Sequence, residues 1–95
     1  MPKGYLIARV DVTDPQAYAR YAEAAGAAMR LHGARPLARG GKHEAVEGHG
    51  RARNVVLEFD SFEAARAYYH SPEYQAAKAH RAGAADGEFV LVEGV

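Results

Sequence analysis

Three stretches of this 95-residue chain alternate with period two and carry apolar residues on both faces, which restricts the fold more than any single motif does. In Tyr5 to Val12, Leu6, Ala8, Val10 and Val12 form one face, and Tyr5, Ile7, Arg9 and Asp11 form the other. In Arg53 to Asp60, Val55, Leu57 and Phe59 oppose Val56 and Glu58; in Glu88 to Glu93, Phe89 and Leu91 oppose Val90 and Val92. A sheet with helices on one side and water on the other alternates cleanly between apolar and polar residues. Here the face without helices would be a larger apolar patch than monomers usually tolerate. Pairing two sheets face to face removes that patch, and an isologous dimer is the commonest way to do it. The expectation is a homodimer joined through the sheet face.

Helical patterns fill the gaps between these strands. Asp14-Pro15 starts the first, with Asp as cap and Pro in the first turn, and Gly33 closes it after His32. Tyr18, Tyr21, Ala22, Ala25, Ala28 and Met29 recur on it at three- and four-residue spacing and mark its buried stripe. Asp60-Ser61 caps a second helix, Phe62 to His70, and Ser71-Pro72 both ends that helix and starts a third, Pro72 to Arg81. Serine can accept from an orphan N–H, proline gives up none that the first turn needs, and the residue before proline leaves the α region. Arg35 to Glu47 reads as an edge strand because of Pro36, divided by a bulge at Gly40-Gly41. Turns are expected at Gly48 to Arg51 and at Asp86-Gly87. The order strand, helix, strand, strand, helix pair, strand is the split βαβ arrangement, an α+β fold with a four-stranded antiparallel sheet and helices on one face. Residues 1–95 leave room for one such domain and no second core.

Charge and composition remove several classes of function. Twelve basic residues balance twelve acidic ones, so no field of one sign gathers nucleic acid or anionic lipid. The absence of cysteine excludes disulfides, thiolate metal sites and cysteine nucleophiles. No apolar run approaches the roughly 18 residues of a membrane span, and the chain begins with no signal-peptide pattern. The expected location is the cytoplasm, with neither membrane nor nucleic acid as a partner. The five histidines lack the clustering or the i, i+4 spacing of a metal site, so no metal is expected. No GxSxG elbow, Walker loop or dinucleotide fingerprint is present, and no cofactor is expected either.

Several ordered motifs resemble the family known as domain of unknown function 1330 (DUF1330). They are Gly4-Tyr5 with Val10-Asp11-Val12-Thr13-Asp14-Pro15, Arg39-Gly40-Gly41, Val56-Leu57-Glu58-Phe59, Tyr69 with Ser71-Pro72-Glu73-Tyr74-Gln75, and Glu93-Gly94-Val95. The match runs over essentially the whole chain. It implies a ferredoxin-like fold assembled as a dimeric α+β barrel, and no particular activity. His70 stands where the family pattern usually has Asp or Asn, and Tyr68 where Trp is common, so His70 inherits no family role.

Some residues invite chemical roles, each beside a plainer structural one. Arg39 before Gly40-Gly41 could hold a carboxylate or phosphate, or the glycines could be a bulge with Arg39 in an ion pair. Glu58 stands amid Val55, Val56, Leu57 and Phe59, where a carboxylate needs a cation; Arg39 is the favoured partner over Arg9, and a catalytic base is the rival reading. Tyr18 and Tyr21 belong to the core stripe, whereas Tyr69 and Tyr74 flank the helix elbow and either wall a cavity there or pack in the core. His70 at the elbow could do acid–base work or simply end a helix. Together these residues predict a small apolar pocket between helices and sheet, with Arg39, Glu58, Tyr69, Tyr74 and Arg81 as ligand contacts and Glu58 and His70 as the weaker catalytic candidates. The leading function is binding of a small organic molecule, such as an acid held by Arg39. One alternative is a cofactor-independent monooxygenase- or isomerase-like enzyme, by analogy with other dimeric barrels. The other is a structural dimer with no ligand.

Overall fold

A computed structural model describes residues 2–95. Four strands and three helices follow one another as β1 (Gly4–Val12), α1 (Pro15–His32), β2 (Arg35–Arg39), β3 (Arg53–Phe59), α2 (Phe62–Tyr69), α3 (Pro72–His80) and β4 (Ala85–Glu93). The strands form one antiparallel sheet in the order β2-β3-β1-β4, the ferredoxin-like arrangement expected from the element order.

The helix boundaries follow from their caps. Asp14 Oδ1 accepts from the Ala17 N–H at 3.2 Å, Pro15 occupies the first turn, and Gly33, at φ +70°, closes α1 in the left-handed region. Ser71 serves two helices at once. Its Oγ donates to the Tyr68 carbonyl at 2.7 Å, ending α2, and accepts from the Tyr74 N–H at 3.1 Å, starting α3.

All three helices cover one face of the sheet. Leu6, Ala8 and Val10 of β1 and Leu57 and Phe59 of β3 meet Tyr21, Ala25, Ala28 and Met29 of α1 and Tyr68 and Tyr74 of α2 and α3. Among the described residues, no helix covers the opposite face. Ile7 lies between Val56 and Val90 across the sheet, and Tyr5 lies between Glu58 and Val92. Val90 and Val92 are 51% and 41% exposed there. The apolar band predicted from the two-sided strands is present. Polar clusters bound it: Glu58 with Arg35 and Asp60 at one end, and Arg51 with Asp11 and Glu88 at the other.

Two details of the chain differ from the sequence expectation. Strand β2 ends at Arg39, and its bulge lies at Leu37, between Pro36 and Ala38, rather than at Gly40-Gly41. Gly40 adopts φ +73° and turns the chain away from the sheet. Asp86-Gly87 is not a turn but part of β4, which pairs with β1 along its whole length. Gly87 is needed for that close approach, since a Cβ there would stand 2.5 Å from the Arg9 carbonyl oxygen. The reversal comes earlier, at Gly83 with φ +74°, where the Ala84 carbonyl receives the N–H groups of Thr13 and Asp14.

Candidate functional site

An apolar cleft opens between α1 and the β2–β3 side of the sheet. Tyr18, Tyr21 and Met29 of α1 form one wall, Val55 and Leu57 of β3 the other, and Tyr68 closes the inner end. The enclosed volume is about 60 Å³, enough for a few waters or the head of a small organic molecule. Two arginines line the same cleft, Arg39 from the end of β2 and Arg53 from the start of β3. Arg39 pairs across the ladder with Val55, two residues along from Arg53, so both belong to the face that the helices cover.

Among the described residues, neither Arg39 nor Arg53 joins an ion pair. The Arg53 guanidinium lies 5.7 Å from the centre of the Tyr18 ring, and its Nε is buried without a hydrogen-bond partner. Gly40 leaves space for it: a Cβ at that position would stand 2.5 Å from Arg53 Nη1. Two neighbouring cations with an unmet donor beside an apolar cavity form a ready receptor for one anion, preferably a planar oxyanion matching the guanidinium fork. Burial pushes the phenols of Tyr21 and Tyr68 well above the ordinary tyrosine pKa, so both line the cleft as neutral hydroxyls. No carboxylate or imidazole is among the side chains that line it.

The residues singled out from the sequence do not converge on one cavity. Arg39 alone of them lies in the cleft. Glu58 points to the opposite face of the sheet, where Arg35 Nε donates to its Oε1 at 3.0 Å and the Tyr5 hydroxyl to its Oε2 at 3.3 Å. The expected Arg39–Glu58 pair is therefore replaced by Arg35–Glu58, and the Arg35 hydrogen bond holds the Glu58 carboxyl below its usual range. Tyr74 is fully buried in the core. Tyr69 and His70 border a separate shallow groove against Phe89, Val90 and Leu91 of β4, so the elbow does open a gap, but Arg39, Glu58 and Tyr74 do not line it. Arg81 packs over the rings of Tyr21 and Phe89 and donates to the Tyr74 hydroxyl.

Arg53 has no role in the sequence expectation, and Tyr18 and Tyr21 stand there as core and Tyr68 as a family departure, yet all four line the cleft. The signal for Arg53 was its parity with Val55, Leu57 and Phe59, which puts it on the helix-covered face. Among the described residues no group of three or more His, Asp or Glu side chains could hold a metal ion. Among the described residues no helix is long and apolar enough to cross a membrane.

The DUF1330 domain of unknown function matches residues 3–95. The chain belongs to that family. Solved structures similar to this DUF1330 chain include a protein of unknown function from Rhodopseudomonas palustris, 18% identical with a TM-score of 0.78, covering 99% of this chain and 83% of the other. A dimeric ferredoxin-like protein of unknown function from Thermobifida fusca is 19% identical at a TM-score of 0.57, covering 99% and 92%. SnoaB, a cofactor-independent oxygenase from Streptomyces nogalater, is 12% identical at a TM-score of 0.61, covering 97% and 92%. At these identities the likeness is one of fold. No curated protein matches the sequence.

Proposed function

We propose that this DUF1330 protein is a single-domain homodimer that binds a small organic acid in the α1–sheet cleft of each subunit, with Arg39 and Arg53 on the carboxylate and the tyrosines around its carbon skeleton. The observation that carries this reading is the pair of guanidiniums without ion-pair partners, one with a buried unbonded Nε, at an apolar cavity. Acid–base catalysis near neutral pH is best served by a carboxylate or an imidazole, and the cleft is lined by neither, which favours binding. The homodimer draws on the exposed band of Val90 and Val92 beside Ile7 and Val56, and on the printed description of the Thermobifida protein as dimeric.

The test is a thermal-shift and calorimetric screen of short aliphatic and aromatic carboxylates. Acids are expected to raise the melting temperature of wild type, and the shift is expected to vanish in Arg39→Ala and in Arg53→Ala. An acid panel that shifts none of the three proteins overturns the reading.

A further inference from the structure

The cleft is charged at one end only. At its mouth Arg39 is exposed and Arg53 half-buried, whereas at its inner end Leu6, Leu57 and Tyr68 are each no more than 3% exposed. Arg53 Nη1 stands 2.5 Å from where a Cβ on Gly40 would be, so this guanidinium lies against the residue that follows Arg39. Every other side chain that lines the cleft is apolar or a phenol. An anion that enters therefore meets two positive charges and no negative one. One guanidinium fork matches the edge of one planar carboxylate. A single carboxylate has to divide its two oxygens between two forks, and it leaves one of the two positive charges without a counter-charge. Two carboxylates on one skeleton answer both forks and bring the net charge to zero. The inner end decides where they are attached. A carboxylate at the far end of the skeleton would be driven among Leu6, Leu57 and Tyr68, where no cation lines the cleft and an ionised group is costly.

We propose that the cleft takes dicarboxylates whose two acid groups sit on the same or on adjacent carbons, one group on Arg39 and one on Arg53, with a short apolar tail or ring directed toward Tyr68. This rests on the acid-binding reading and deepens it by naming the class of acid.

Calorimetric titration at about pH 8, where every carboxyl is ionised, tests it with two matched sets: benzoate, phthalate and terephthalate, and valerate, propylmalonate and adipate. In at least one set, wild type is expected to bind the phthalate or propylmalonate member about 10-fold or more tightly than the plain acid. Terephthalate and adipate carry the same charge as their isomers but at opposite ends. They are expected to bind no better than the plain acids, an outcome that simple charge attraction would not produce. In Arg39→Gln one fork remains and the dicarboxylate loses its advantage; Arg39 is exposed at the end of β2, so the core is untouched. Arg53→Gln is expected to do the same. Plain acids bound by wild type as tightly as both favoured dicarboxylates, end-to-end isomers bound as tightly as these, or an advantage that survives in both variants would overturn this inference and leave the acid-binding reading standing. Failure of every acid in both sets to bind wild type would overturn both.

Discussion

Arg35 and Arg39 stand four residues apart on one strand, yet they point to opposite faces of the sheet. Arg35 pairs with Glu58 on the face without helices, and Arg39 pairs with Val55 on the face that the helices cover. In an unbroken strand residues four apart share a face. The extra residue at Leu37, between Pro36 and Ala38, reverses the parity. One arginine thereby becomes the partner of a carboxylate, and the other stays unpaired at the cleft.

Deleting Leu37 should therefore move Arg39 to the outer face, since a one-residue slip flips every side chain beyond it. Leu37 is 58% exposed, so its removal leaves no hole in the core. The expected result is a folded protein, by circular dichroism, in which carboxylates no longer raise the melting temperature. A deletion variant that binds acids as wild type does would contradict the role of the bulge.

The outer-face carboxylates set a pH dependence. Hydrogen bonds from Arg35 to Glu58 and from Arg51 to Glu88 hold these carboxyls below the usual 4.5, and the Ala52 N–H holds Asp11 below 3.8. Because the folded-state values are depressed, this stabilisation is fully present above the unfolded values and is lost as pH falls through the folded ones. The melting temperature is expected to drop as pH falls below about 4.5, and Glu58→Gln is expected to flatten part of that drop. Thermal melts between pH 3 and pH 6 (roughly the span across which these groups titrate) check both.

The strand patterns carried most of the fold. Alternation along β1 and β3 located the core face, the caps at Asp14, Ser61 and Ser71 located every helix start, and the unmatched apolar band on Ile7, Val56, Val90 and Val92 followed from the same parity. The site was harder to read because it depends on register. Nothing in Arg35-Pro36-Leu37-Ala38-Arg39 marks Leu37 as the bulge, and the glycines that seemed to mark one end the strand instead. Tyr74 follows a proline break, but the serine that joins α2 to α3 satisfies the break locally, and Tyr74 stays in the core while the groove at the elbow is bordered by Tyr69 and His70.

Ser71→Ala tests that joint. The substitution removes the hydroxyl that caps α3 and bonds the Tyr68 carbonyl, leaving the Tyr74 N–H without its partner inside the fold. A loss of about 1–3 kcal/mol is expected in urea unfolding, combining a lost N-cap with a buried unmet donor. A change near zero would show that water takes over both bonds.

The final prediction concerns the sheet face. Ile7 and Val56 face each other across β1 and β3, and Val90 stands opposite Ile7 on β4, so the centre of this face is an aliphatic cluster with charged groups only at its two ends. A second copy placed by a two-fold axis would cover that cluster with its own equivalent, and each substitution would enter the interface twice. Val56→Glu or Ile7→Glu would then force two carboxylates into a desolvated contact, with no cation at the centre to pair them. The dimer dissociation constant is expected to rise by about 100-fold or more, measured by sedimentation equilibrium. Arg20→Glu, on the exposed side of α1, is expected to leave it within a few-fold of wild type. Wild-type protein that sediments as a monomer at micromolar concentration would remove the interface altogether.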